Sequence, residues 1–351
     1  MAEYISFQPS DFFNTKLYTG NGSTNAITGV GFQPDFTWIK VLDAAARSHV
    51  LTDAVRGVNS QVSSDDSAAA TTLTDALTSF DSDGFTLGAD TGGGEVNDNT
   101  KSFVSWNWKA GTTSGITGGT ITPTSYSLST TSGISILKYT GNNTSGATIA
   151  HGLGAVPKFI LVKNLSAGST PWRAYHVGLG PDYSITLNET DAKADNSTFW
   201  NDTAPTSTLI TMGNDSKING TDDYIMYIFA STKGFSKFGE YAGTGDATIA
   251  PFIYTGFRPG WLMVKQTDSA GQNWFMFDNK RSPFNVIDKY LYADSDAVEA
   301  TSDRIDFFSN GFKCKDDAAG LNGSGGSTRY IYMAFAEFPL VSSNDIPTVA
   351  R

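Results

Sequence analysis

Apolar residues along this chain fall in short runs separated by glycine, serine, threonine and asparagine, the rhythm of strands and turns. Phe159-Ile160-Leu161-Val162 and Trp261-Leu262-Met263-Val264 are apolar at every position, which predicts strands covered on both faces. Phe36-Thr37-Trp38-Ile39 is similar, with Thr37 loosening one face. Aromatic-rich runs at 103–108, 224–229 and 330–335 predict closing strands. Asp81-Ser82-Asp83-Gly84-Phe85 and Phe308-Ser309-Asn310-Gly311-Phe312 predict hairpin turns. The second closing run lacks that Gly-Phe pair, and its turn is expected around Met212-Gly213-Asn214-Asp215. The best helical signal is 67–77, enough for one or two turns.

These elements recur in order. Tyr18-Thr19-Gly20, Tyr139-Thr140-Gly141 and Tyr241-Ala242-Gly243 each lead to a proline (Pro34, Pro157, Pro259), an apolar strand, and a lysine six residues after the proline (Lys40, Lys163, Lys265). A spacing of about a hundred residues is the size of a domain, not of a solenoid unit. The expected fold is all-β: three tandem antiparallel β-sandwich domains of jelly-roll or lectin-like type. The boundaries read as an arm at 1–16, domains at 17–111, 134–233 and 234–339, a Gly/Ser/Thr linker at 112–133, and an arm at 340–351.

Composition narrows the function classes. Of 351 residues only 17% are charged while 39% are hydrophobic, enough to build cores. The net charge of −11 argues against non-specific binding to nucleic acid or anionic membranes. No apolar stretch reaches the roughly 20 residues of a membrane helix. The start lacks a secretory signal, so cytoplasmic synthesis is expected. Cys314 is the only cysteine, which excludes an intrachain disulfide and a cysteine zinc site. It is expected to be a buried small hydrophobe.

Candidate chemistry is sparse. Lys40, Lys163 and Lys265 end apolar strand faces, so their ammonium groups are expected at the core rim. Asp53 with Arg56, and Asp278 with Arg281, recur at the same distance behind the lysine, where the second repeat has His176 and Leu179. These aspartates are expected to pair with nearby cations and fix the domain edge. Trp172, Trp200 and Trp274 lie in or beside loops and are candidate sugar platforms. Phe7, Phe12 and Phe13 mark the first arm as a candidate assembly contact. The histidines (His49, His151, His176) fall at unrelated positions, and no catalytic cluster, metal site or cofactor motif is expected. Gly92-Gly93-Gly94 and Gly323-Ser324-Gly325-Gly326 read as hairpin tips.

The opening at 5–20, Gly31-Phe32-Gln33-Pro34-Asp35-Phe36, Asp278-Asn279-Lys280-Arg281-Ser282-Pro283 and the run at 330–337 resemble repeated-domain virion structural, tail-fibre-like proteins of marine and cyanobacterial tailed bacteriophages. The resemblance covers nearly the whole chain. It implies a non-enzymatic virion component whose partners are other virion proteins, with no catalytic residues to carry over. Two placements compete: a tail-fibre appendage, with a homotrimer favoured and host-surface glycan as ligand, and a head fibre or capsid-decoration protein. A glycan-binding or glycan-degrading tailspike-like protein is the third alternative. Its degrading form requires two carboxylates across a groove, and the sequence identifies no such pair.

Overall fold

Each repeat builds one long antiparallel sheet around its closing strand. The structure, a computed structural model, describes residues 7–323 and 328–338. The opening strands are Phe13–Thr19, Ile134–Thr140 and Ser236–Ala242; the closing strands are Ser102–Trp108, Asp223–Ala230 and Arg329–Ala336. The strands after the repeated prolines are Phe36–Val41, Pro157–Asn164 and Pro259–Gln266. In all three repeats the closing strand lies between the opening strand and the proline strand. A fourth strand (Val50–Asp53, Arg173–His176, Trp274–Asp278) and a fifth (Ser60–Val62, Tyr183–Thr186, Ile287–Tyr292) extend each sheet.

The outer face of each sheet carries its own core, closed in the first two repeats by a separate small sheet and in the third by the far strands of the same eight-stranded sheet. Here the repeated Tyr-x-Gly acquires its meaning. Tyr18, Tyr139 and Tyr241 stack on Phe103, Tyr224 and Tyr330 of the closing strands, with ring centroids 5.1, 5.3 and 4.8 Å apart. Their hydroxyls donate to the carbonyls of Val96, Ile218 and Leu321. Gly20, Gly141 and Gly243 then pass so close to the backbone that a Cβ would lie 2.2, 2.2 and 2.8 Å from a main-chain oxygen. A buried asparagine in each repeat, Asn97, Asn219 or Asn322, ties the adjoining loops together by donating to two carbonyls and accepting a main-chain N–H.

The inner faces meet each other. One continuous core contains Trp106 and Trp108 of the first repeat, Phe159 and Phe229 of the second, and Trp261 and Phe335 of the third. The equivalent rings of Trp108, Phe229 and Phe335 stand 5.6, 5.9 and 6.5 Å from one another, which marks an approximate threefold axis through one chain. The void on this axis is about 10 Å³ and wholly apolar in its lining, room for one water at most. The proline strands are therefore covered on both sides, the physical reason for their unbroken apolar runs.

Several elements depart from the sequence expectation. Residues 67–77 form no helix but contain a short strand, Thr71–Thr72. Their backbone is claimed by the second repeat instead, with Ala70 N–H donating to Leu165 and Thr170 N–H donating to Ser67. The linker is ordered: Ser125–Ser129 pairs with the second opening strand, and Gly119 and Ile121 bridge to Ile149. In the second repeat Asp215 caps a short helix, Ser216–Asn219, through Lys217 N–H. The first strand starts at Phe13, inside the expected arm, and Phe13 stacks on Phe335 at 5.2 Å. Phe7 and Phe12 pack on Phe235, so all three rings make contacts within the chain, Phe13 buried and the other two half-buried. Cys314 is buried, and burial pushes its thiol up to about 12. Residues 324–326 of the glycine-rich loop and the arm at 340–351 lie outside the described residues.

Candidate functional site

The three repeated lysines sit under the seams between repeats. All are fully buried, ammonium included, rather than at a solvent-exposed rim. Lys40 Nζ donates to Val41 and, at 3.3 Å, to the Asp296 carbonyl of the third repeat. Lys163 Nζ donates to Thr170 and, at 3.0 Å, to the Ser67 carbonyl of the first. Lys265 Nζ donates to the Gln272 carbonyl. Burial lowers each lysine to about 8.

Nine residues after each lysine a ring N–H crosses the same seam. Trp172 Nε1 donates to Ser63 at 2.8 Å and Trp274 Nε1 to Thr186 at 2.9 Å. In the first repeat the position is His49, whose Nε2 donates to Tyr292 at 3.0 Å. Trp38 Nε1 donates to His49 Nδ1 at 2.8 Å and so selects that tautomer. His49 is thus the first-repeat counterpart of the two tryptophans. Trp172 and Trp274 cannot serve as sugar platforms, because the neighbouring repeat covers them. Trp200, in the outer core of the second repeat against Tyr175, is equally buried.

Thirteen residues after each lysine stands the next seam contact. Asp53 holds Arg56 Nε at 2.6 Å and accepts from Tyr227 Oη of the second repeat at 2.7 Å. Asp278 holds Arg281 Nε at 2.6 Å and accepts from Trp106 Nε1 of the first repeat at 3.1 Å. His176 Nε2 donates to the Tyr332 carbonyl of the third repeat at 3.1 Å, while its Nδ1 accepts from Gly178 N–H. Burial depresses His176 to about 4, so it is neutral at pH 7. The contacts run from first repeat to second, second to third, and third to first. They close a ring of seams rather than the outer edges of separate domains.

The surface is less regular. On the outer layer of the third repeat, the strand Phe252–Tyr254 is the last in its sheet. Phe252 and Tyr254 are 47% and 61% exposed, beside Phe308 at 39%. The Phe252 and Phe308 rings meet edge to face at 5.8 Å. Pairing with the Gly-Phe strand places Ala26, Thr28 and Asp81 at the equivalent positions of the first repeat. In the second repeat the layer offers Thr148 and Ala150, and the linker bridges its strand. An exposed aromatic group of this kind belongs to the third repeat only, and the repeat pattern itself hides it.

The family model for a domain of unknown function, DUF7483, matches residues 8–339. The chain belongs to the DUF7483 family. The match runs through all three repeats, so the DUF7483 unit is the closed ring and not a single repeat. No curated protein and no solved structure matches the chain.

Proposed function

We propose that this DUF7483 protein is a non-enzymatic structural component of a tailed-bacteriophage particle, an appendage that helps attach the particle to a host surface. In this reading each two-layer repeat is a β-sandwich of jelly-roll or lectin-like type, and three in tandem replace the three chains of a trimeric fibre. The reading rests on one observation above all. The repeated residues are engaged in packing and seams, while the exposed aromatic group of Phe252, Tyr254 and Phe308 is unrepeated. Contiguous exposed apolar surface marks contact sites, and aromatic faces suit sugar rings as well as protein.

Immunogold labelling or cryo-EM of the particle tests the assignment. Density on the tail supports the appendage reading, density on the capsid supports a head fibre or decoration protein, and absence from the particle overturns both. Tyr254→Ala with Phe252→Ala should reduce binding to host cells or glycan arrays while leaving thermal stability within about 1 kcal/mol of wild type. A homotrimer, if it forms, associates whole rings, which sedimentation velocity reads directly.

A further inference from the structure

The two Asp–Arg pairs are completed differently. Arg281 places Nε on Asp278, Nη2 on the Met276 carbonyl at 3.1 Å, and Nη1 on Glu299 Oε2 at 3.2 Å. Arg56 repeats the first two contacts, on Asp53 and on the Leu51 carbonyl at 2.9 Å. Its Nη1 is buried and has no hydrogen-bond partner among the described residues. The guanidinium side chain is only 1% exposed.

One substitution between repeats explains the difference. Ala70 stands where the third repeat has Glu299. Ala70 N–H donates to Leu165 at 3.0 Å and Glu299 N–H to Leu42 at 2.9 Å; both leucines lie two residues after a repeated lysine. Each residue also immediately precedes the strand that pairs with the fifth strand of its own repeat. By the same register Ser60 replaces Lys289, the other partner of Glu299 at 3.3 Å. In place of the glutamate and lysine there is a polar cleft of about 420 Å³ between the first and second repeats. Arg56, Ser60 and Ala70 line one side, and Ser125, Lys138 and Ser166 the other.

A buried guanidinium N–H left without an acceptor is costly, and the third repeat shows which group completes it: a carboxylate. We propose that this cleft binds a carboxylate-bearing sugar, a uronic acid, whose carboxylate reaches the buried Arg56 Nη1 by displacing the side chains that cover it and takes there the place that Glu299 takes on Arg281. The hydroxyl-rich walls suit a ligand that carries hydroxyl groups, and the volume is in the range of small-ligand sites. Lys138 at the rim is paired with Asp223 at 3.3 Å, and both line the cleft. The site is separate from the aromatic group and does not depend on the particle assignment.

Calorimetric titration of the full chain with glucuronate, and with glucose, acetate and N-acetylglutamate as comparison probes, tests the proposal. Saturable glucuronate binding at least about tenfold tighter than any comparison probe is expected. Ala70→Glu supplies the missing carboxylate from the chain itself and should weaken glucuronate binding by about tenfold or more, with an unchanged circular dichroism spectrum. In the unaltered protein, the Arg56 side-chain nitrogen resonances should shift on glucuronate addition while those of Arg281 stay fixed. No saturable binding, or an Arg56 resonance that does not move, overturns the site. Equal affinity for acetate or N-acetylglutamate overturns the sugar.

Discussion

Between the first and second repeats, and between the third and first, a buried aspartate accepts from a Tyr or Trp side chain and is held by an arginine. Between the second and third, a neutral histidine donates to a main-chain carbonyl. The difference follows from the closing strand opposite. Trp106 and Tyr227 offer a ring N–H and a hydroxyl, while the equivalent Met333 has no donor for a carboxylate to accept from. A buried carboxylate facing methionine would lack both its hydrogen bond and, with Leu179 in place of arginine, its counter-charge. Charge at each seam is thus set pair by pair, and not by the repeat as a whole.

The largest test removes one partner of a charged seam. Asp53→Ala or Asp278→Ala strands a buried arginine and should cost about 3–5 kcal/mol in urea unfolding. A loss below about 1 kcal/mol would mean that the carboxylates do not hold the seams. His176→Asp should convert the neutral seam into an incomplete charged one and cost about 3 kcal/mol. Adding Leu179→Arg and Met333→Tyr should recover most of that loss, and failure to recover it would show that the seams differ in backbone as well as in side chains.

Acid separates the seams further. The folded-state value of His176, about 4, lies below the usual imidazole value near 6.5. Its contribution is fully present above pH 6.5 and is lost as pH falls through 4, up to about 3 kcal/mol. Comparing wild type with His176→Gln from pH 7 to 4 isolates this slope; parallel curves would refute it. The smallest effect lies on the outer faces, where the repeats agree. Tyr139→Phe and Tyr241→Phe each remove one hydrogen bond to a carbonyl and should each cost about 1 kcal/mol. Unequal losses would show that these outer cores have diverged as well.

Much of the strand order was legible because it rests on local pattern: apolar runs, Gly-Phe turns, and the fixed step from proline to lysine. The unbroken apolar faces of residues 159–162 and 261–264 already signalled burial on both sides, although not what covered them. Equivalence at the seams was harder to read, since His49, Trp172 and Trp274 share only a ring N–H, and Asp53 and His176 share only a partner across a seam. The buried asparagines were not legible because Asn97, Asn219 and Asn322 precede their closing strands by unequal loops. Arg56 was visible as one half of an ion pair. Its unpaired nitrogen was not legible, because Ala70 and Glu299 share a position in space while lying 30 and 34 residues after their lysines.

The continuous inner core sets a schedule for synthesis. Trp106 and Trp108 leave the ribosome with the first repeat, yet Trp261 and Phe335, which pack on Trp108, are made far later. At roughly 5–20 residues per second, the more than two hundred residues between Trp108 and Phe335 take roughly ten to forty-five seconds. Through that interval the inner faces of the sheets already made lack the cover that the third repeat later supplies. Fragments ending before the third closing strand should therefore aggregate or engage chaperones, although the first two repeats are present in full.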